Sequence, residues 1–236
     1  MGYYSKMQGD HPETGSPLLS GSRARVYNNS VYANGFGDPS IDVQFKHGIC
    51  VWSYRSYDDW PRDVVIKNNI VFGNANEWRV GSRNILPQIT YANNFGSDPH
   101  FRDPDLSDKA SRGSPDLRLR PGSPCIDKGI GLTAAVEPGF RATRLHVADA
   151  YVFQDGTWGS SLSGVRPDWI AIGTVDNVVE IRSISYEDGL IILAGPKTWK
   201  TRAPVWLFRD SDGRQVLHGR APDIGAHEST DVRDDR

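Results

Sequence analysis

Two lysines spaced 21 residues apart are the residues of this sequence that point most directly to chemistry. Lys46 and Lys67 occupy the same place in two similar segments, DVQFKHGICVW and DVVIKNNIVFG. Equivalent positions of neighbouring strands lie about 4.8 Å apart. Two ammonium groups held that close favour an anionic ligand such as a uronate polymer. A neighbouring cation also favours the neutral amine that a general base requires, so we predict both lysines as catalytic residues.

The lysines have a second explanation, which is an ordinary solvated face. Asp42 and Asp63 also occupy equivalent places in the two segments. Their carboxylates would screen the positive charge, as in most surface charge runs. The sequence leaves both explanations open.

His47 and Arg25 are further candidates beside the lysines. The imidazole of His47 titrates near neutral pH, so this residue joins the predicted catalytic set as a proton-transfer group. It would equally fill a corner of the chain and bond a backbone carbonyl. Arg25 directly precedes Val26, and we predict that it extends the basic surface as a substrate-binding residue.

An aromatic segment, VWSYRSYDDWPRD at 51–63, follows the first lysine. Aromatic faces stack on sugar rings while charged neighbours bond hydroxyl groups, so this segment predicts a glycan-contact rim. The same aromatic residues would also cover an open edge of the fold. The predicted substrate-binding residues are Trp52, Tyr54, Arg55, Tyr57, Trp60 and Arg62.

Several classes of site and partner are disfavoured. Asp58, Asp59 and Asp63 could supply oxygen ligands for calcium, but neither an EF-hand nor a nonapeptide calcium repeat is present, so we predict no metal site and no cofactor. Phosphate-binding and dinucleotide fingerprints are missing too. The net charge of −2 gives no basic footprint for nucleic acid, and the absence of a long apolar run predicts no membrane span.

A repeated phrase indicates the elements that carry these residues. VYNNSVYANG at 26–35 returns as IKNNIVFGNA at 66–75, and the lysine-bearing segment at 42–52 fits between them at the offset of 21. Short alternating stretches of this kind are typical of strands. We therefore predict coils of about 20 residues that stack in parallel. Asparagines at equivalent corners would take left-handed backbone and form an amide ladder.

The repeats and three later phrases resemble right-handed parallel β-helix proteins of the pectate-lyase-like group. DPHFRDP, SPDLRLRPGSPCIDKG and APDIGAHE are similar to the closing phrases of extracellular members, although His227 stands where an aromatic residue is usual. The resemblance covers 24–129 and 220–228. It implies an all-β solenoid, an extracellular or cell-surface location and a polysaccharide partner. In the resembling lyases, basic residues on neighbouring coils neutralise a uronate carboxylate and abstract a proton.

The segment between the closing phrases has a different composition, with one Asn and four of the seven Trp. Its alternating stretches and the Asp-Gly turns in YEDGL and DSDGR predict an antiparallel module that closes as a small β-barrel. The predicted division is therefore 1–140 for the β-helix coils, 141–219 for the inserted module, and 220–236 for a return strand with a disordered tail.

Two classes of function follow from this reading. One is binding or processing of an extracellular polysaccharide; an enzyme would then be a polysaccharide lyase or a glycoside hydrolase. The other is a structural stalk or phage-tail-type piece without activity. We also expect that the chain is the C-terminal part of a longer protein. Hydrolysis would need two carboxylates that face each other across the bond. The spacing in the sequence does not show which two would form this pair among Asp42, Asp58, Asp59, Asp63 and Glu77.

Overall fold

The computed structural model describes residues 24–34, 47–51, 63–80, 89–105, 115–157 and 165–229. Throughout these ranges the regular elements are strands, and no helix long and apolar enough to cross a membrane occurs among them. The chain divides into two compact units, Met1–Pro99 and His100–Arg236. The all-β class is confirmed, whereas the three-part division at 140 and 219 stays a prediction.

The first unit contains three parallel pairings that the chain visits in the same order twice. Strand β1 pairs with β4 and β4 with β7, while β2 pairs with β5 and β3 with β6. The chain therefore makes two passes through three short sheets and begins a third. The strands are β1 Arg25–Tyr27, β2 Ser30–Tyr32, β3 His47–Val51, β4 Val64–Lys67, β5 Ile70–Phe72, β6 Asn76–Val80 and β7 Ile89–Ala92.

The register confirms one predicted stacking and corrects another. Val26 lies opposite Ile66 and Ser30 opposite Ile70, so the two copies of the repeated phrase are direct neighbours. The predicted middle coil, 42–52 over 63–73, is wrong because β4 already has β1 and β7 on its two sides and β3 pairs with β6. An alternation with period two fits several registers equally well, and this ambiguity produced the false offset.

A small apolar core explains why these strands stack. Ile66 is fully buried and packs with Val64, Ile89 and Val51. Val26 packs against the same cluster from β1. Val64 and Ile66, two residues apart on β4, therefore both face inward, as strand alternation predicts.

Asparagines turn the chain at the end of each pass. Asn28, Asn68 and Asn93 have positive φ angles of 53°, 56° and 54°, which Asn tolerates better than most residues. The next asparagine in each pass forms a ladder, defined here as Asn29, Asn69 and Asn94. Amide Nδ2 of Asn29 donates to Oδ1 of Asn69 at 2.9 Å, and Nδ2 of Asn69 donates to Oδ1 of Asn94 at 2.8 Å. The predicted ladder is confirmed.

The second unit holds a six-stranded antiparallel sheet that curls into a half-barrel. Its order is β10-β15-β12-β13-β14-β11, and the predicted Asp-Gly turns are present with Gly189 at φ 61° and Gly213 at φ 86°. The edge strands approach at one end, where Ala135 bridges Val147. The strands of this unit are β8 Phe101–Asp103, β9 Asp116–Leu119, β10 Thr133–Ala134, β11 Gly139–His146, β12 Trp169–Ile172, β13 Val178–Ser185, β14 Leu190–Trp199 and β15 Pro204–Arg209.

The phrase APDIGAHE pairs with a segment that precedes the half-barrel. Backbone N–H of Ile224 donates to the carbonyl of Cys125 at 2.9 Å, and Gly129 N–H donates to the carbonyl of Pro222 at 2.6 Å. The carboxylate of Asp223 accepts the N–H of Asp127 at 2.8 Å. The closing phrases SPDLRLRPGSPCIDKG and APDIGAHE therefore contact each other, while their role as the end of a β-helix stays a prediction.

Candidate functional site

Lys67 ends strand β4 and lies between two neighbours that the sequence did not suggest. Tyr27 of β1 and Ala92 of β7 are its partners in register. Ile66 faces the core, so strand alternation places Lys67 on the outer face of the β1-β4-β7 sheet. The residue is half-buried.

The predicted pairing of Lys46 with Lys67 is not supported by this register. Both in-register positions beside Lys67 are filled by Tyr27 and Ala92. Lys46 itself lies outside the described residues. The expected column of two stacked ammonium groups was derived from the offset of 21 and fails with that offset.

Arg25 has a mostly buried side chain and forms an ion pair with Asp63. Its side chain is only 9% exposed, and Nη2 lies 3.0 Å from Oδ2 of Asp63. Nη1 also contacts the backbone carbonyl of Asp63, whose φ is 54°. The guanidinium thus joins β1 to the residue that leads into β4. Its predicted contact with a glycan stays a prediction.

The structure describes His47 but not the predicted substrate-binding residues of the aromatic segment. His47 opens β3 opposite Asn76, so it belongs to a different sheet from Lys67. Cys50 on the same strand is exposed. The predicted residues that lie outside the described ranges are Trp52, Tyr54, Arg55, Tyr57, Trp60 and Arg62.

The structure adds aromatic residues that the site prediction missed. Tyr27 is in register with Lys67, and both positions are partly exposed. On the next sheet Tyr32 stacks on Phe72, with ring centroids 6.1 Å apart and planes inclined by 24°. The aromatic residue of the phrase VYNN was the available signal for Tyr27, but only the correct register makes it a neighbour of Lys67.

Buried carboxyl groups in the second unit accept hydrogen bonds from the backbone of other segments. Burial raises the pKa of Asp168 to about 7, although its carboxylate accepts the N–H of Gln154 at 2.9 Å. Burial opposes ionisation of Asp155 too, but hydrogen bonds from Thr157 and from the Ile184 N–H hold its pKa below the ordinary value. These groups form ordered turns within the half-barrel.

A second carboxyl pair lies where the closing phrases meet. Burial, and then the nearby Asp223, raise the pKa of Glu228 to about 8. Oε1 of Glu228 accepts the N–H of Asp223 at 2.7 Å, and Oδ2 of Asp223 accepts the N–H of Ser229 at 2.7 Å. Burial also raises the pKa of the Cys125 thiol to about 12, so this cysteine is a core residue rather than a nucleophile.

No group of three or more metal-ligating side chains is placed together in the described ranges. The candidate site is therefore the outer face of the β1-β4-β7 sheet, where Tyr27 and Lys67 adjoin and Arg25 binds Asp63. Comparisons with protein-family models, with curated proteins and with solved structures give no match to this chain.

Proposed function

We propose that the chain is an extracellular or cell-surface β-helix protein that binds a polysaccharide on the outer face of the β1-β4-β7 sheet. Two passes through three parallel sheets in one order, with an asparagine ladder at a shared corner, support a right-handed parallel β-helix. Stacked passes give a long flat face, which suits an extended polymer better than a small ligand.

The observation that carries the proposal is the adjacency of Tyr27 and Lys67. A tyrosine ring offers an apolar face to a sugar and a hydroxyl for hydrogen bonding. An ammonium group on the neighbouring strand binds sugar hydroxyls or a uronate carboxylate. Asp63 lies against Arg25 beside the same sheet, which fixes this end of the face.

Binding has more support than catalysis. A uronate lyase needs a base and a carboxylate-neutralising cation at the same sugar. The predicted lysine pair would have supplied both groups, but the register around Lys67 removes its geometric basis. His47 lies in another sheet.

A structural role is the second candidate, and the asparagine ladder favours it. Asn69 is fully buried and makes contacts to both neighbouring passes. Such a ladder stiffens a stack regardless of any ligand. A purely structural protein would carry the same ladder without affinity for glycans.

The test is a titration of the chain with polygalacturonate, with dextran as the neutral polymer. Replacing Tyr27 and Lys67 by Ala together should weaken binding to polygalacturonate by about tenfold, from a lost stacking contact and a lost charge contact. The matched control is Arg214→Ala, because Arg214 is exposed, carries the same charge as Lys67 and belongs to the second unit rather than to this sheet. Equal binding by the double variant and the parent would remove this face from the site. No binding by the parent would favour the structural role.

A further inference from the structure

Four cations lie at one end of the half-barrel, and together they are called the basic face here: Arg141, Arg144, Lys200 and Arg202. Strand β11 pairs with β14 through Gly139 opposite Trp199. Arg202 N–H donates to the carbonyl of Ala135 at 2.8 Å, which brings the next turn alongside. Lys197 is left out, because strand alternation places it on the same side of β14 as the buried Trp199.

The charge of the basic face is not neutralised by its own surroundings. Among the described residues, none of the four cations forms an ion pair, and all four are exposed. The nearby acid Glu137 is bonded instead to Nδ1 of His146 at 2.7 Å. Asp176, in the turn whose Asn177 donates to the carbonyl of Thr198, is the other acid at this end. Positive charge is therefore in excess.

Two exposed apolar side chains lie near these cations in sequence. Phe140 is 82% exposed and Val136 is 57% exposed. Single exposed apolar residues are common on protein surfaces, but a phenylalanine with most of its ring in water directly beside Arg141 offers a stacking face next to a charge. This combination suits a sugar ring that carries an acidic group.

The backbone holds two arginines of the basic face in an unusual conformation. Arg141 has φ 47° and Arg202 has φ 62°, in the left-handed region that arginine seldom occupies. Both arginines with positive φ in the described part of the chain belong to the basic face. Strain of this kind at a surface is a reason to look for function.

A buried tryptophan fixes the irregular part of β11. The register of β11 shifts between Gly139 and Arg144, so Phe140 and Arg141 are both exposed although they are consecutive. The ring of Trp199 lies against Gly139, where an added Cβ would come within 2.4 Å of it. Its Nε1 donates to the carbonyl of Glu137 at 2.9 Å. The basic face is thus preorganised by core contacts.

We propose that the basic face is a second binding site for an anionic polysaccharide, separate from the Tyr27 and Lys67 face. An anionic membrane fits less well, because two exposed apolar side chains, Val136 and Phe140, offer little apolar area for insertion. A nucleic acid fits less well too, because the net charge of −2 gives no extended basic track.

The test uses the variant Arg141→Gly/Arg202→Gly in the full chain. Glycine adopts positive φ readily, so the charges are removed while the melting temperature stays equal or rises. Polygalacturonate binding should weaken by about tenfold through the loss of two charge contacts. The matched control is Arg214→Gln/Arg220→Gln, which removes the same charge from exposed residues elsewhere in the unit and should change binding by less than about twofold.

The measurement is repeated in the Tyr27→Ala/Lys67→Ala background, so that the two sites are separated. A further tenfold loss of binding when Arg141→Gly/Arg202→Gly is added to that background supports the basic face. This holds even if Tyr27→Ala/Lys67→Ala has no effect of its own. Unchanged binding on adding the glycine pair, or an equal loss in the arginine control, overturns it. Preferential binding of phosphatidylserine vesicles or single-stranded DNA over polygalacturonate, abolished by the glycine pair, would also overturn it and assign the face to that partner.

Discussion

Replacing Asn69 by Ala should destabilise the first unit more than any single surface change, because this amide is the centre of the ladder. Oδ1 of Asn69 accepts the backbone N–H of Asn29 at 3.0 Å and its Nδ2 at 2.9 Å. Nδ2 of Asn69 lies 2.9 Å from the carbonyl of Val26, 3.0 Å from that of Lys67 and 2.8 Å from Oδ1 of Asn94. Truncation leaves buried partners unsatisfied.

The expected cost follows from the number of bonds that can form at once. The two hydrogens of Nδ2 and the two bonds to Oδ1 allow about four hydrogen bonds, each worth about 1 kcal/mol net, so the loss is about 4 kcal/mol. Asn29→Ala is the matched control. Asn29 is exposed, and its Nδ2 donates only to Oδ1 of Asn69 and to the carbonyl of Tyr27 among the described residues, so its loss should be about 1 kcal/mol.

Native-state hydrogen exchange of the Ile70 amide measures both effects locally. This N–H donates to the carbonyl of Asn29 at 2.8 Å and therefore reports the opening of neighbouring passes. Its protection factor should fall by about a thousandfold in Asn69→Ala and by about tenfold or less in Asn29→Ala. Equal losses of protection in the two variants would refute the central place of Asn69 in the ladder.

Two further predictions concern the second unit. The raised pKa of Glu228, about 8 in the fold, means that the folded state binds this proton more tightly than the unfolded chain, so the stability that it contributes at acidic pH is lost as pH rises from about 4.5 to about 8. Urea unfolding at pH 5, 7 and 9 should show a smaller decline in Glu228→Gln, and an unchanged decline would contradict the assignment. Gly139→Ala should cost about 1–3 kcal/mol because its Cβ meets the ring of Trp199 at 2.4 Å. Gly195→Ala, with nothing within 4 Å of its Cβ, should cost much less by the same unfolding assay, and similar costs would contradict the close contact.

Local chemistry in the sequence predicts the features that depend on single residues. Asparagine pairs predict the left-handed corners at Asn28 and Asn68 because few other residues accept that backbone. Asp-Gly turns predict the hairpin at Gly189 for the same reason. The ladder follows because equivalent corners of neighbouring passes must meet.

The register of the strands could not be predicted from the sequence, because several pairings satisfy an alternation with period two. The offset of 21 matched apolar positions with apolar positions and so hid the direct pairing of Val26 with Ile66. Tyr27 was consequently not predicted as the neighbour of Lys67. These outcomes depend on which strands are neighbours, which composition does not specify.

The basic face was also hidden, for a different physical reason. Arg141 and Lys200 are far apart in sequence and come to the same end of the half-barrel only because β11 pairs with β14. The left-handed backbone of Arg141 and Arg202 has no signature in residue type, since arginine rarely adopts it. Tertiary packing of Trp199 on Gly139 imposes the local shape.

The most direct measurement for the proposed function is a calorimetric titration of the unaltered chain with polygalacturonate at low and at high salt. Binding to an outer face that carries Lys67 should be detectable at low salt, weaken as salt screens the charges, and be absent or much weaker with dextran. Heat equal to the dilution blank for both polymers would contradict polysaccharide binding and leave the structural role. Equal affinity for both polymers at both salt concentrations would contradict a charge-selective site.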